Sequence, residues 1–188
     1  PVLVEDDAYP ANPESAYGWS KLLGEYECEL ALKEEKIDIA ILRLHNVYGS
    51  PCDLSSDRSQ VIPSLCRKAI NYPQEKFVVW GSGEQRRAFL HVDDVVRAIQ
   101  LCIEEGFGKG VIQIGPNSSH SIGEIAQRIT LLSGKDIEIE FDLTRPEGDK
   151  DRVGDISKAK LTLNWEPSVT LDDGLARTYH WIKHIIEL

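Results

Sequence analysis

The sequence predicts an α/β fold, on three observations. Strand-like and helix-like periodicities alternate along the 188 residues instead of separating into blocks. Ile37 to Leu44 is a short apolar run rich in β-branched residues, the composition of a strand covered on both faces. No internal repeat or low-complexity linker interrupts the pattern, and a hydrophobic content of 41% can bury a sizeable core within one domain's worth of chain.

The elements follow in order. Asn12 can cap, and Pro13 can occupy the first turn of, a helix running to about Lys33, with Leu22, Leu23, Tyr26 and Leu30 as apolar positions and a second apolar side that needs a partner. The strand at Ile37 to Leu44 leads into an irregular stretch from His45 to Arg58, and ligand loops commonly follow the carboxyl ends of such strands. A helix near Gln60 to Asn71 comes next, then strands near Phe77 to Trp80 and Ala88 to Val92 and a helix from Asp93 to Glu105. Val111 to Ile114 reads as a strand. Ser121 to Ser133 reads as a helix opened by Ser121 and Glu124 in capping-box register. Ile137 to Phe141 is a further strand, and Thr170 with Asp173 opens a final helix that turns Leu175, Tyr179, Ile182 and Ile186 inward.

The formal net charge of -10 argues against a general nucleic-acid or anionic-membrane surface, since either needs clustered basic charge. No long apolar run or signal-type segment supports membrane insertion or secretion. Cys28, Cys52, Cys66 and Cys102 lack metal-type spacing, so free thiols in a reducing compartment, the cytoplasm, are expected. His91, His180 and His184 have no Cys or carboxylate neighbours in a ligand arrangement; they read as core or surface residues, and no metal is expected.

Chemistry concentrates in Ser15-Ala16-Tyr17-Gly18-Trp19-Ser20-Lys21. Four-residue spacing puts a phenol and an ammonium on one helix face. A phenol with an ordinary pKa near ~10 is a poor base at neutral pH, and a fixed cation beside it favours the phenolate.

Three more blocks follow: Arg43-Leu44-His45-Asn46-Val47-Tyr48-Gly49, Arg87-Ala88-Phe89-Leu90-His91-Val92-Asp93-Asp94, and Arg152-Val153-Gly154-Asp155. In this order, over nearly the whole chain, they resemble the extended short-chain dehydrogenase/reductase family, specifically its NAD-dependent nucleotide-sugar epimerases and dehydratases. The resemblance implies the C-terminal part of a doubly wound parallel-sheet, Rossmann-like domain plus a smaller α/β substrate-binding region. Residues 1–58 would belong to the dinucleotide-binding domain, and residues 59–188 mainly to the substrate region, with some segments returning to the first. The sequence contains no Met, begins at Pro1 and has no glycine-rich dinucleotide fingerprint. The resemblance puts that fingerprint and a catalytic Ser or Thr upstream of Pro1; a short gene product whose initiator Met was removed is the alternative.

By the same resemblance Tyr17 is the acid/base and Lys21 holds the ribose of NAD. His45 lies near the nicotinamide, and Asn46 bonds the substrate as a buried amide with both a donor and an acceptor. Where the family usually has Pro after the glycine of this loop, Ser50 stands. Gln60 and Val61 contact the diphosphate, Arg87 and Arg152 grip it with planar forks, and Asp155 lies near the nucleoside ribose. Arg86 and Trp80 either line the base pocket or pack. The expected partner is a nucleotide-diphosphate sugar, and the expected assembly is a homodimer through the Tyr17 helix. Cys66-Arg67-Lys68 and Thr178-Tyr179-His180-Trp181-Ile182-Lys183 also resemble plant-type GDP-mannose 3,5-epimerases, which carry a catalytic lysine where Gln60 stands. A carboxamide cannot deliver a proton as an ammonium can, so the sequence favours a 4-epimerase-like enzyme. The alternatives are a nucleotide-sugar 4,6-dehydratase, a GDP-mannose 3,5-epimerase or, from another class, a nonenzymatic nucleotide-sugar binding module or split-gene remnant.

Overall fold

The computed structural model describes residues 2–13, 15–34, 37–55, 59–145 and 151–188, with the side chains of residues 151 and 152 outside the description. Strands and helices alternate as β1 (Val2–Leu3), a 3-10 turn (Glu5–Ala8), α1 (Ala16–Lys33), β2 (Ile41–Leu44), β3 (Asn46–Tyr48), α2 (Val61–Asn71), β4 (Val78–Trp80), β5 (Arg86–Arg87), β6 (Phe89–His91), α3 (Val92–Glu105), β7 (Val111–Ile114), β8 (His120–Ser121), α4 (Ile122–Ser133), β9 (Glu140–Asp142), β10 (Asp151–Gly154), α5 (Ser157–Leu163) and α6 (Leu171–Glu187). β2 pairs with β7, β3 with β6, β4 with β9, and β10 with both β1 and β5, all in parallel; β5 and β8 are antiparallel. This is the α/β architecture that the alternation predicts, with the parallel strands that the resemblance implies.

Strand alternation divides the interior into two cores. On β6, Phe89 enters a cluster built by α2, α4 and α6 over β4. Its neighbour Leu90 enters another, built by α3, α5 and β7. The first three helices bury residues at the spacing i, i+3, i+4, i+7: Ile62, Leu65, Cys66 and Ala69 on α2; Ile122, Ile125, Ala126 and Ile129 on α4; Leu175, Thr178, Tyr179 and Ile182 on α6. Burying one large apolar side chain contributes about 1.5–3 kcal/mol, which makes these stripes the main adhesive of the region. Side-chain caps fix where two of the helices begin. Ser121 Oγ accepts from the Glu124 N–H at 3.0 Å while Glu124 accepts from the Ser121 N–H at 3.2 Å, and Thr170 Oγ1 accepts from the Asp173 N–H at 3.2 Å.

The second core closes on a buried carboxylate. Asp94 accepts from the backbone N–H groups of Ser168 and Val169 at 2.9 Å each, from Ser168 Oγ at 2.7 Å and from Arg97 at 3.0 Å. Trp165, fully buried, donates its indole N–H to the Asp94 carbonyl at 3.1 Å. The chain entering α6 is thereby tied to α3.

Several expectations from the sequence are corrected. The first helix begins at Ala16, with Ser15 as cap accepting from the Gly18 N–H at 3.1 Å, so Asn12 and Pro13 precede it. None of its residues is buried: Leu23, Tyr26 and Leu30 are exposed and Leu22 is half-buried. The strand expected from Ile37 starts only at Ile41, where β7 begins to pair, and its end at Leu44 is exposed. The strand expected over Ile137 to Phe141 lies at Glu140–Asp142, and Ile186, in the last turn of α6, is not buried. Of the irregular stretch that the sequence runs to Arg58, residues 56–58 lie outside the described residues.

Candidate functional site

The Tyr17–Lys21 pair stands on the first two turns of α1. Ser15 caps that end, and Ser20 Oγ donates to the Tyr17 carbonyl at 2.8 Å. Tyr17 is 71% exposed, and Lys21 Nζ lies 5.2 Å from the Tyr17 ring centroid. The phenol and the ammonium therefore share one solvent-facing surface, as their spacing predicts.

His45 occupies the residue where the chain changes partners. Up to Leu44 it pairs with β7, and from Asn46 it pairs with β6. Diverging strands of this kind open a crevice beyond their carboxyl ends. The His45 N–H donates to the Ile114 carbonyl at 3.0 Å. Its ring lies between two glycines: a Cβ on Gly115 would come within 2.6 Å of the imidazole, and one on Gly154 within 2.3 Å of Nε2. Burial pushes the imidazole below its usual value; a hydrogen bond with Gln113 partly offsets this, and the Arg43 cation lowers it further. His45 is thus a neutral imidazole at pH 7. Asn46, expected to be buried, is exposed on the first residue of β3, where pairing has only begun, and its Nδ2 donates to the Ala88 carbonyl at 3.3 Å.

The two arginines expected on one diphosphate, far apart in sequence, are adjacent in register. Arg152 on β10 faces Arg87 on β5 as its parallel-strand partner. Half-buried Arg87 donates to the Arg86 carbonyl at 2.7 Å; the Arg152 side chain lies outside the described residues. Arg86 turns toward Ser119, donating to its Oγ at 3.1 Å and its carbonyl at 2.6 Å. Asp155 follows β10 and accepts from the Ser157 N–H at 2.6 Å, and the Ser157 hydroxyl and N–H hold its carboxyl below the usual range. β10 thus carries Arg152 and then Gly154 against His45, and Asp155 follows directly.

Gln60 precedes α2, but its side chain makes no capping bond and is exposed. It lines a cavity of about 320 Å³ with Val47, Tyr48, Gly49, Cys52 and Pro63, and half-buried Val61 follows it. Trp80 is exposed beneath the Arg145 guanidinium, 4.9 Å from its ring. Asp93 pairs with Arg177 at 3.2 Å, and Asp149 lies outside the described residues. His91 is buried, while His180 and His184 are exposed; among the described residues no group of three or more His, Cys, Asp or Glu could hold a metal.

Sequence reasoning missed a polar layer under the pair. Arg43 donates Nε and Nη2 to the two oxygens of Glu25 on α1, at 3.0 and 2.7 Å, and Nη1 to the Glu5 carbonyl at 3.1 Å. The Glu5 carboxylate accepts from the Gln113 N–H at 2.9 Å, and Gln113 Nε2 donates to the Leu3 carbonyl at 3.0 Å. The signal was present but weak: Glu25 is one helical step of four beyond Lys21, and Arg43 is two strand residues before His45.

Residues 2–115, more than half of the chain, match the model of the NAD dependent epimerase/dehydratase family. The chain belongs to that family. Among its relatives, GDP-mannose 3,5-epimerase 1 of Oryza sativa subsp. indica is 35% identical over 185 residues, covering 98% of this chain and 48% of that protein. UDP-glucuronic acid decarboxylase 1 of Xenopus tropicalis is 32% identical over 178 residues, covering 95% and 41%. This member of the epimerase/dehydratase family therefore spans about half the length of the curated relatives it matches. Among solved structures, the UDP-glucose 4-epimerase of Thermotoga maritima with UDP-glucose superposes with a TM-score of 0.86 at 30% identity, over 93% of this chain and 55% of that one. The UDP-glucuronic acid 4-epimerase of Bacillus cereus, in complex with UDP-glucuronic acid and NAD, gives 0.81 at 33% identity, over 93% and 54%.

Proposed function

We propose that the protein is an NAD-dependent nucleotide-sugar epimerase of the 4-epimerase kind, with Tyr17 as its acid/base. The observation that carries this reading is Tyr17 standing exposed on the helix face it shares with Lys21. A phenol that exchanges a proton with a sugar hydroxyl has to be reachable and to have a cation at hand. Tyr48 shows the opposite condition, since burial pushes its hydroxyl pKa up and encloses it. Bound NAD would supply reversible hydride-transfer chemistry beside Tyr17, Lys21 and His45. The donor set fits its nicotinamide and ribose end: the Lys21 ammonium suits ribose hydroxyls, and the neutral His45 imidazole can lie beside a cationic ring without repulsion.

In this reading Tyr17 removes a proton from the sugar hydroxyl and later restores it, while Lys21 stabilises the phenolate. Arg87 and Arg152 hold the diphosphate from adjacent strands, which suits planar forks on one anion. Asp155 meets the nucleoside ribose, Asn46 and Gln60 offer amides to sugar and phosphate oxygens, and Val61 packs beside them. The division near residue 58 belongs to the same reading, with β7 returning to pair with β2. So do a cytoplasmic setting and a two-fold assembly through α1. No helix among the described residues is long and apolar enough to cross a membrane, and the four cysteines are free thiols. The 35% identity to a GDP-mannose 3,5-epimerase favours that activity as a second reading, against which stands Gln60, an amide without a proton to give.

Tyr17→Phe in the intact protein tests the proposal. With UDP-glucose, UDP-glucuronic acid and GDP-mannose as substrates, turnover of the accepted sugar should fall by roughly 10²–10⁴ while its dissociation constant stays nearly unchanged. An active Phe variant would move the acid/base role to another residue. NMR of the product separates inversion at one sugar carbon from inversion at two.

A further inference from the structure

α1 carries the reactive pair, yet none of its residues is buried, and its apolar Leu22, Cys28, Ala31 and Leu32 are only half-buried. Its specific tie is ionic. Tyr17, Lys21 and Glu25 follow one another at steps of four along one helix face, and Glu25 sits about 12 Å below Tyr17 at the helical rise per residue. The Glu25 side chain is only 14% exposed, and both of its oxygens are taken by the planar fork of Arg43. Two parallel bonds define angle as well as distance, which one bond to an ammonium does not. The same guanidinium reaches the Glu5 carbonyl, and Glu5 reaches Gln113, the residue that bonds His45.

We propose that Arg43 is a positioning residue for the Tyr17–Lys21 pair: clamped on Glu25, it sets the height of α1 over the sheet and hence where the phenol and ammonium stand relative to His45. The inference rests on the proposed role of Tyr17. An Arg43 clamp that slips by an ångström would misplace the proton acceptor while leaving the diphosphate arginines on β5 and β10 in register, so chemistry would suffer and substrate binding would not.

The test uses Arg43→Met, Arg43→Lys and Glu25→Gln in the intact protein. In Arg43→Met, kcat for the nucleotide sugar should fall about tenfold or more with KM changed by less than about threefold. Arg43→Lys should recover part of the loss, because charge returns without the fork. A second readout, the titration of the His45 ring followed by NMR and assigned with His45→Phe, reports whether the Arg43–Glu25 charge pair stays beside His45. His45 faces Arg43 from β2, Gln113 from β7 and the backbones of Gly115 and Gly154; Glu25, Glu5 and Tyr9 surround Arg43. Removing the cation should raise the His45 midpoint, and removing the Glu25 charge, which leaves Arg43 uncompensated, should lower it. Shifts of the same sign, no shift, or an unchanged kcat in Arg43→Met would overturn the proposal. If the unaltered protein turned over no nucleotide sugar, the functional reading would fall, and the clamp would be judged by whether Arg43→Met shifts the amide resonances of Tyr17 and Lys21, unmoved amides overturning it. Should Arg43→Met fail to fold, Glu25→Gln, which keeps shape and volume, carries both readouts.

Discussion

α1 and the α2–α4–α6 layer are both helical, and they are held by different forces. Each helix of the layer buries a stripe of at least four residues against its neighbours, and Ile129, Leu175 and Ile182 are fully enclosed. α1 spreads Trp19, Leu23, Tyr26 and Leu30 over solvent-facing surface, half-buries Leu22 and Leu32, and is tied down by a bidentate ion pair. The layer is therefore self-supporting within this chain, whereas the Tyr17–Lys21 pair stands on an element whose apolar residues are left largely uncovered. Burial makes the first region insensitive to its surroundings. The second depends on directional polar contacts, which fix geometry more sharply than they add stability.

The largest effect that sharpens this contrast belongs to Leu175→Ala. Removing a fully buried leucine between α2 and α4 should cost about 2–5 kcal/mol, the sum of lost transfer energy and the cavity left behind. Urea unfolding followed by circular dichroism measures it. A cost below about 1 kcal/mol would show that the layer is loosely packed and that the contrast with α1 is false.

Next in size is the pH dependence carried by Asp94. Burial alone would raise its pKa, but the N–H groups of Val169 and Ser168, the Ser168 hydroxyl and the Arg97 guanidinium outweigh it, and the folded value lies below the ordinary one. A carboxylate depressed on folding stabilises the protein above its unfolded pKa, near ~3.9, and that contribution is lost as pH falls through the folded value. Asp94→Asn should lower stability at pH 7 by about 1.5–3 kcal/mol, the range for hydrogen bonds to a charged group, and should flatten the pH dependence below pH ~4. Unfolding curves at several pH values from acid to neutral decide it: an equally steep acid limb in the Asn variant would assign the effect to other carboxylates.

What the sequence made legible follows the same division. The helices of the layer were readable because burial imposes the i, i+3, i+4, i+7 stripe that periodicity detects, and the Ser121–Glu124 cap was readable because it is local. β5, β8 and β10, two to four residues each, were not, because their existence depends on partners distant in the chain. α5 was missed for its shortness, seven residues with no side-chain cap. At the site, Tyr17 and Lys21 were legible as a four-residue step. The adjacency of Arg87 and Arg152, the partner switch at His45 and the glycines that give His45 its space are properties of strand register, which no local pattern encodes. The apolar positions of α1 were legible as well, but apolar residues show that a surface can be covered, not that the covering is present in this chain.

The smallest stability effect should come from Leu23→Ala, and it probes that uncovered face directly. Leu23 is 56% exposed on α1, so truncating it removes little buried area and should change the unfolding free energy of the monomeric chain by less than about 0.5 kcal/mol. In the proposed two-fold assembly through α1 each copy would contribute the same residue to one isologous contact, so a single substitution would be felt twice. Dimer dissociation, followed by light scattering over a range of concentrations of the intact protein, should then shift to higher concentration in Leu23→Ala while the melting of the dissociated protein stays constant. A variant that melts several degrees lower at every concentration would place Leu23 in an intramolecular core and end the contrast between the two helical regions. A dimer equilibrium indifferent to Leu23 would remove α1 from the proposed interface.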